Sequence, residues 1–188
     1  MATPAELDAR FTELEAIVEK LPEGSHAEIA QGLFLMSPSP AQKHQITKLE
    51  LCRLLADVAS RTGGWRFLSE VEIRSAAHRS RLIPDVSAWK AADSPDIEEN
   101  PIESRPPFWV AEVLSPTTEP YDRGVKAAAY AAIGVAWMWL VDPKKRTVEV
   151  FENAAGAMTP RAELSAFDPL DAPPFGDLVA GVARLFPY

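Results

Sequence analysis

The segment Phe108 to Pro143 constrains the fold most. It reads as a short apolar run, "FWVAEVL", then a helical stretch, "YDRGVKAAAYAAIG", then a second apolar run, "VAWMWLVDP". A strand that returns to its own sheet through a helix must run parallel to its partner. The unit therefore predicts two parallel strands joined by a helix, with Gly134 as the helix stop. Downstream, "RTVEVFE" predicts an antiparallel neighbour joined through the "DPKK" turn. The chain is thus expected to build a mixed sheet covered by helices.

Upstream segments fill in the layers. "TPAE" (Thr3 to Glu6) has the form of a capping box with proline at the first helical position. Leu7, Phe11, Leu14, Val18 and Leu21 follow at helical spacing, which predicts a first helix to about Leu21. "HAEIAQGLFLMSPSP" predicts a strand or a hairpin around Gly32. A second helix is expected from Ala41 to about Arg61, stopped by "TGG". "WRFLSEVEIRS" and "RLIPDVSAWK" alternate like strands joined by "AAHRS". "AADSPDIEENPIESRPP" is acidic and proline-rich and predicts a surface loop. The proline-broken remainder ends in an expected short helix around Leu178 to Leu185. The reading is one domain over residues 1–188, with residues 1–21 an N-terminal helix packed on it.

Composition narrows the function classes. Of 188 residues, 47% are hydrophobic, enough for a core. No apolar run approaches the roughly 20 residues of a membrane-spanning helix. The N-terminus is acidic and amphipathic, unlike a signal or transit peptide, so a cytoplasmic protein is expected. Cys52 is alone, which excludes an internal disulfide and a cysteine-rich zinc site, and it reads as a small buried hydrophobe. A net charge of −8 argues against coating nucleic acid through the overall field, while leaving room for a local basic patch.

Charges inside apolar runs are the candidate chemistry. On a strand, Glu112 shares a face with Phe108, Val110 and Leu114. There it either needs a positive partner or lies at the strand end facing water. Asp85, between Pro84 and Val86, raises the same choice; the proline suggests an edge or a bulge, and the competing reading is a turn-side aspartate. Asp122, Lys126 and Tyr130 fall at intervals of four on one helical face. Asp122–Lys126 reads either as a surface ion pair or, given the alanine-rich helix, as part of an amine reaching the sheet end. Arg74, His78, Arg79 and Arg81 cluster around "AAHRS" and read either as phosphate contacts or as a solvated turn. His44 is a weaker candidate near a helix start. Ser115 reads as a capping residue, and His26 makes no metal cluster with the other histidines. The pair Trp137 and Trp139 reads as core, or as a partner contact in a homodimer.

These residues carry a resemblance. "PDV", "EVLSPTT", "YDRGVKAAAYAAIGV" and "WLVDP", in this order and spacing, resemble the Uma-type restriction endonuclease family of the PD-(D/E)xK nuclease superfamily. "HAEIAQGLFLMSPSPAQKH" and "PPFGDLVAGVARLF" are similar to its opening and closing segments, so the likeness runs from about Phe11 to Phe186. It implies a restriction-endonuclease-like α/β fold, a mixed sheet flanked by helices. It implies a magnesium-dependent nuclease acting on DNA, with manganese as substitute and a homodimer as the assembly. Asp85, Glu112 and Lys126 would be catalytic; Asp85, Glu112 and Glu28 would hold the metal; Tyr130 would support them. The usual motif places its lysine two residues after the glutamate, where this chain has Leu114; the family moves it to the helix, at Lys126. Trp137 stands where the family often has an acidic residue. Arg74, Arg79 and Arg81 would meet the substrate. The alternative is a catalytically silent nuclease fold used for binding or as a scaffold; action on RNA or a free nucleotide finds no aromatic-basic motif to support it.

Overall fold

The computed structural model describes residues 2–22, 24–176 and 180–188. Its order is α1 (Pro4–Val18), β1 (Ala27–Ala30), β2 (Leu33–Met36), α2 (Gln42–Thr62), β3 (Trp65–Ser69), β4 (Ile73–Ser75), β5 (Ser80–Leu82), β6 (Val86–Lys90) and β7 (Trp109–Val113). A helical turn α3 (Glu119–Tyr121), a π-wound turn (Asp122–Lys126) and α4 (Ala127–Ile133) follow without a break. Then come β8 (Trp137–Asp142), β9 (Thr147–Ala154) and β10 (Ala157–Ser165). Thr3 and Glu6 close the capping box of α1, and Gly63 and Gly134 end α2 and α4 in the left-handed conformation.

Among the described residues, the strands form two sheets. One has four strands in the order β2-β1-β5-β4; the other has six, β10-β9-β8-β7-β6-β3. In the larger sheet β7 and β8 are parallel, with Glu112 opposite Leu140, and β6 and β7 are antiparallel. The two long alternating segments each break in the middle. Their inner halves pair as β4–β5 in the small sheet, and their outer halves pair as β3–β6 in the large one. Asp85 sits at one of these crossings, just before β6, and Pro84 lies in the link between sheets. That position is neither a bulge nor a ladder edge.

The large sheet carries hydrophobic clusters on both faces. Trp109, Ala111, Val113, Trp139 and Val141 pack with Leu51, Leu54, Leu55 and Val58 of α2 and with Phe175, Leu185 and Phe186. Val110, Leu114, Met138 and Leu140 pack with Tyr130 and Ile133 and with Ala30, Ile73 and Leu82 of the small sheet. Glu112 shares the second face with Val110 and Leu114. Phe108 does not; it lies before the strand begins and packs against Trp65 on the opposite side. Trp139 is fully buried and half-buried Trp137 packs against the same core.

The C-terminal region departs from the expectation. β10 is a nine-residue strand paired with β9, although Pro160 lies within it. It is an edge strand, and its register shifts beside Pro160; both conditions let a sheet accept proline. The expected terminal helix is a short 3-10 turn, Val182–Leu185, and its Leu178 lies outside the described residues. Among the described residues, no helix is long and apolar enough to cross a membrane.

Candidate active site

The crossing between sheets frees backbone groups from the ladders, and charged side chains take them up. The N–H of Ile83 donates to Glu28 Oε1 at 2.7 Å, and the carbonyl of Ile83 accepts from Lys126 Nζ at 3.2 Å. Lys126 Nζ also lies 2.9 Å from both Glu28 Oε1 and Glu112 Oε1. The Tyr130 hydroxyl donates to Glu112 Oε1 at 2.5 Å. Asp85 joins the same cleft: its Oδ2 accepts from the N–H of Val113 at 2.8 Å and lies 3.1 Å from His44 Nε2. A cleft of about 180 Å³ is lined by Glu28, His44, Asp85, Glu112, Asp122 and Lys126, among others.

Each group arrives for a local reason. Glu112 faces inward because β7 is buried on both faces, and the pleat that buries Val110 carries Glu112 with it. Lys126 comes from the π-wound turn, where the N–H of Ala127 reaches back to the carbonyl of Asp122. Such turns occur often at functional sites. The small residues that follow let α4 lie close to the sheet, and Ala129 is fully buried. Asp122 and Lys126 are therefore not a surface pair: they are 4% and 3% exposed.

The electrostatics are those of too many acids around one amine. Burial pushes the Glu112 carboxyl well above its usual range; Lys126 pulls it down, and Asp85, Asp122 and Glu28 push it further up. Burial opposes the charge on Lys126, but Glu112, Glu28, Asp122 and Asp85 together outweigh it, so the ammonium persists to unusually high pH. Asp122 is pushed up to about 6, first by burial, with the pull of Lys126 only partly offsetting it. Asp85 is half-buried and largely desolvated, yet it is held below its usual range because His44 and the Val113 N–H, with Lys126, overcome the desolvation. Tyr130 is raised by burial and then by Glu112 and Glu28, which keeps it a proton donor.

The donor set suits a hard divalent cation that keeps part of its water. Among the described residues, no three His, Cys, Asp or Glu side chains are grouped closely enough to hold a metal ion by themselves. Magnesium does not need such a cage: it is commonly held by one or two carboxylates, with waters and phosphate oxygens completing the shell. Asp85 and Glu112 would be the two carboxylates to hold it, and they are tied together because Val113, the residue after Glu112, donates to Asp85. Among the described residues, the contacts of each fall on one oxygen, Oδ2 of Asp85 and Oε1 of Glu112. The acid surplus favours an added cation on the same grounds that it raises Glu112.

The arginines lie elsewhere and are engaged. Arg74 makes a two-pronged contact with Glu15 of α1 and donates to Glu103 at 2.9 Å. Arg79 donates to Asp8 of α1 at 2.6 Å, and Arg81 pairs with Glu72 at 2.7 Å. None of the three lines the cleft. His78 contacts Ser75, and Ser115 caps the turn before α3 through Thr118. His26 lines the cleft. Sequence reasoning undervalued His44 and Asp122. The signal for Asp122 was its spacing of four from Lys126; for His44 it was a polar residue in the first turn of α2, which without the fold points nowhere.

Fold and site together define the class: a nuclease-like α/β protein whose cleft gathers carboxylates and a lysine at the end of a parallel strand pair. The chain belongs to the Uma2 family, described as "putative restriction endonuclease", whose family model matches residues 9–183. A crystal structure described as "a putative nuclease belonging to DUF820" from Anabaena variabilis is similar, with a TM-score of 0.76 and 20% identity. The alignment covers 92% of this chain and 96% of that one, so the fold is shared over nearly the whole length. No curated protein matches the sequence.

Proposed function

We propose that the protein is a divalent-cation-dependent endonuclease that hydrolyses DNA phosphodiester bonds. The observation that carries the reading is Lys126, a buried ammonium held 2.9 Å from two carboxylates in the cleft that Asp85 also lines. Asp85 and Glu112 would hold the ion, with Glu28 beside them. A bound cation would neutralise charge on the phosphate and lower the pKa of a water. Lys126 keeps a positive charge where an attacking oxygen and a phosphoryl oxygen would meet, a preorganised contribution to the transition state. Glu28 and the Ile83 carbonyl fix that amine, and Tyr130 fixes Glu112. Side chains of the small sheet and the large sheet thus share one cation, which ties the site's geometry to the crossing at Ile83–Asp85.

The test combines cleavage with metal binding. Supercoiled plasmid should be cut in magnesium or manganese and left intact in a chelator. Asp85→Asn, Glu112→Gln and Lys126→Ala should each lower the rate by at least about 100-fold, the scale for losing one preorganised electrostatic group. Saturating manganese should raise the melting temperature; an ion at 100 times its Kd stabilises by about 2.7 kcal/mol. Wild-type cleavage in all three variants would sink the mechanism. The second reading, a silent nuclease fold that binds or scaffolds, is favoured by one observation: Arg74, Arg79 and Arg81 are ion-paired within the chain. It predicts no cleavage with either ion by correctly folded protein.

A further inference from the structure

We infer that His44 is a positioning residue for the metal site: it orients Asp85 so that one carboxylate oxygen stays directed at the cation. The inference rests on the cation-binding reading of the cleft. Oδ2 of Asp85 meets the Val113 N–H at 2.8 Å and His44 Nε2 at 3.1 Å. Both contacts fall on the same oxygen, so together they fix the carboxylate's rotation and reserve Oδ1. The Val113 donor is backbone and belongs to β7, the strand of Glu112. His44 is the side-chain partner, and it comes from the first turn of α2, on a different layer. Asp85 is therefore clamped between the sheet that carries the other carboxylate and the helix that covers it.

The ring's other nitrogen fits that role. His44 Nδ1 is buried and has no hydrogen-bond partner among the described residues. A histidine kept only for structure would normally satisfy both nitrogens. Here one nitrogen is left over, and among the described residues the ring's one polar contact goes to Asp85. A carboxylate oxygen accepts, so His44 Nε2 is the donor in that contact. His44 is also a cleft-lining residue, its side chain 12% exposed, so it stands beside the space an ion and its waters would occupy. Ligating carboxylates are themselves held by hydrogen bonds, and losing such a partner typically costs about 10–100-fold in metal affinity.

The experiment is calorimetric titration of the full chain with manganese alone, with no substrate. His44→Ala should weaken binding by about 10–100-fold while the metal-free melting temperature stays within a few degrees of wild type. His44→Gln, whose amide nitrogen can reach the same carboxylate oxygen, should recover most of the loss. Wild-type affinity in His44→Ala would overturn the role of His44 and leave the cation site standing. A His44→Gln variant as weak as His44→Ala would overturn the hydrogen bond as the cause. Wild-type protein that takes up no manganese at millimolar concentration would overturn both the cation site and this role within it.

Discussion

The cleft and the arginine hairpin are two charged regions solved in opposite ways. On the hairpin β4–β5, Arg74, Arg79 and Arg81 each meet a carboxylate, two of them supplied by α1. In the cleft, Glu28, Asp85, Glu112 and Asp122 share one lysine and one histidine contact. The hairpin charges are partly exposed, and each arginine has a carboxylate of its own, so no charge there is left uncompensated. The cleft charges are buried, where each uncompensated acid is costly. A fold that can neutralise three arginines with local acids could have done the same for the cleft. That it leaves the cleft short of positive charge supports the proposed cation site over a purely structural ion network.

The largest expected effect comes from removing the shared amine. Lys126→Met should destabilise the metal-free protein by about 3 kcal/mol, the low end for breaking a buried pair, because Glu112 can take up a proton in relief. Urea unfolding at neutral pH measures it. Adding Glu112→Gln to Lys126→Met should restore part of the loss, since a neutral amide needs no counterion. If Lys126→Met is neutral, the amine is not what holds the carboxylates together and the contrast with the hairpin fails.

The hairpin should respond less, and unevenly. Glu15→Ala removes a two-pronged partner of Arg74 that is itself buried, and should cost about 1.5–3 kcal/mol, the range for hydrogen bonds to charged groups. Asp8→Ala removes an exposed partner of Arg79 and should cost about 0–1 kcal/mol, less in high salt. Equal losses from the two would mean that burial does not strengthen the Glu15–Arg74 pair over the exposed Asp8–Arg79 pair.

How much of this contrast was legible beforehand follows from how far each signal reaches along the chain. The strand–helix–strand unit from Phe108 to Pro143 was readable because periodicity, a glycine stop and a parallel crossover are local facts. Glu112 and Lys126 stood out as charges in apolar company. The division into two sheets was not readable: "WRFLSEVEIRS" and "RLIPDVSAWK" alternate throughout, and alternation does not say which sheet a strand will join. β10 was hidden by Pro160, which a sheet tolerates only at an edge or an irregularity, and edges are decided by the whole topology. The π-wound turn left no mark in the spacing. The pairing of Arg74 with Glu15 spans 59 residues, so only the assembled fold reveals that the basic cluster is engaged.

A further effect is a pH dependence that belongs to the cleft. The Asp122 carboxyl titrates near 6 in the folded protein and near 3.8 when free of its surroundings. Between those values the folded state holds a proton that the unfolded state releases, so stability rises as pH falls through 6 and levels off below about 4. The stabilisation is lost as pH climbs through 6. Metal-free wild type should therefore gain melting temperature from pH 7.5 to 5.0 relative to Asp122→Asn, which lacks the titrating group. The hairpin variants Glu15→Ala and Asp8→Ala should keep the wild-type slope, because their carboxylates lie outside the cleft. Saturating manganese should flatten the wild-type slope, since a bound cation supplies the positive charge that the proton otherwise brings. An identical slope in wild type and Asp122→Asn would show that Asp122 is already balanced, and the surplus of acid that distinguishes the two regions would then reside in Glu28, Asp85 and Glu112.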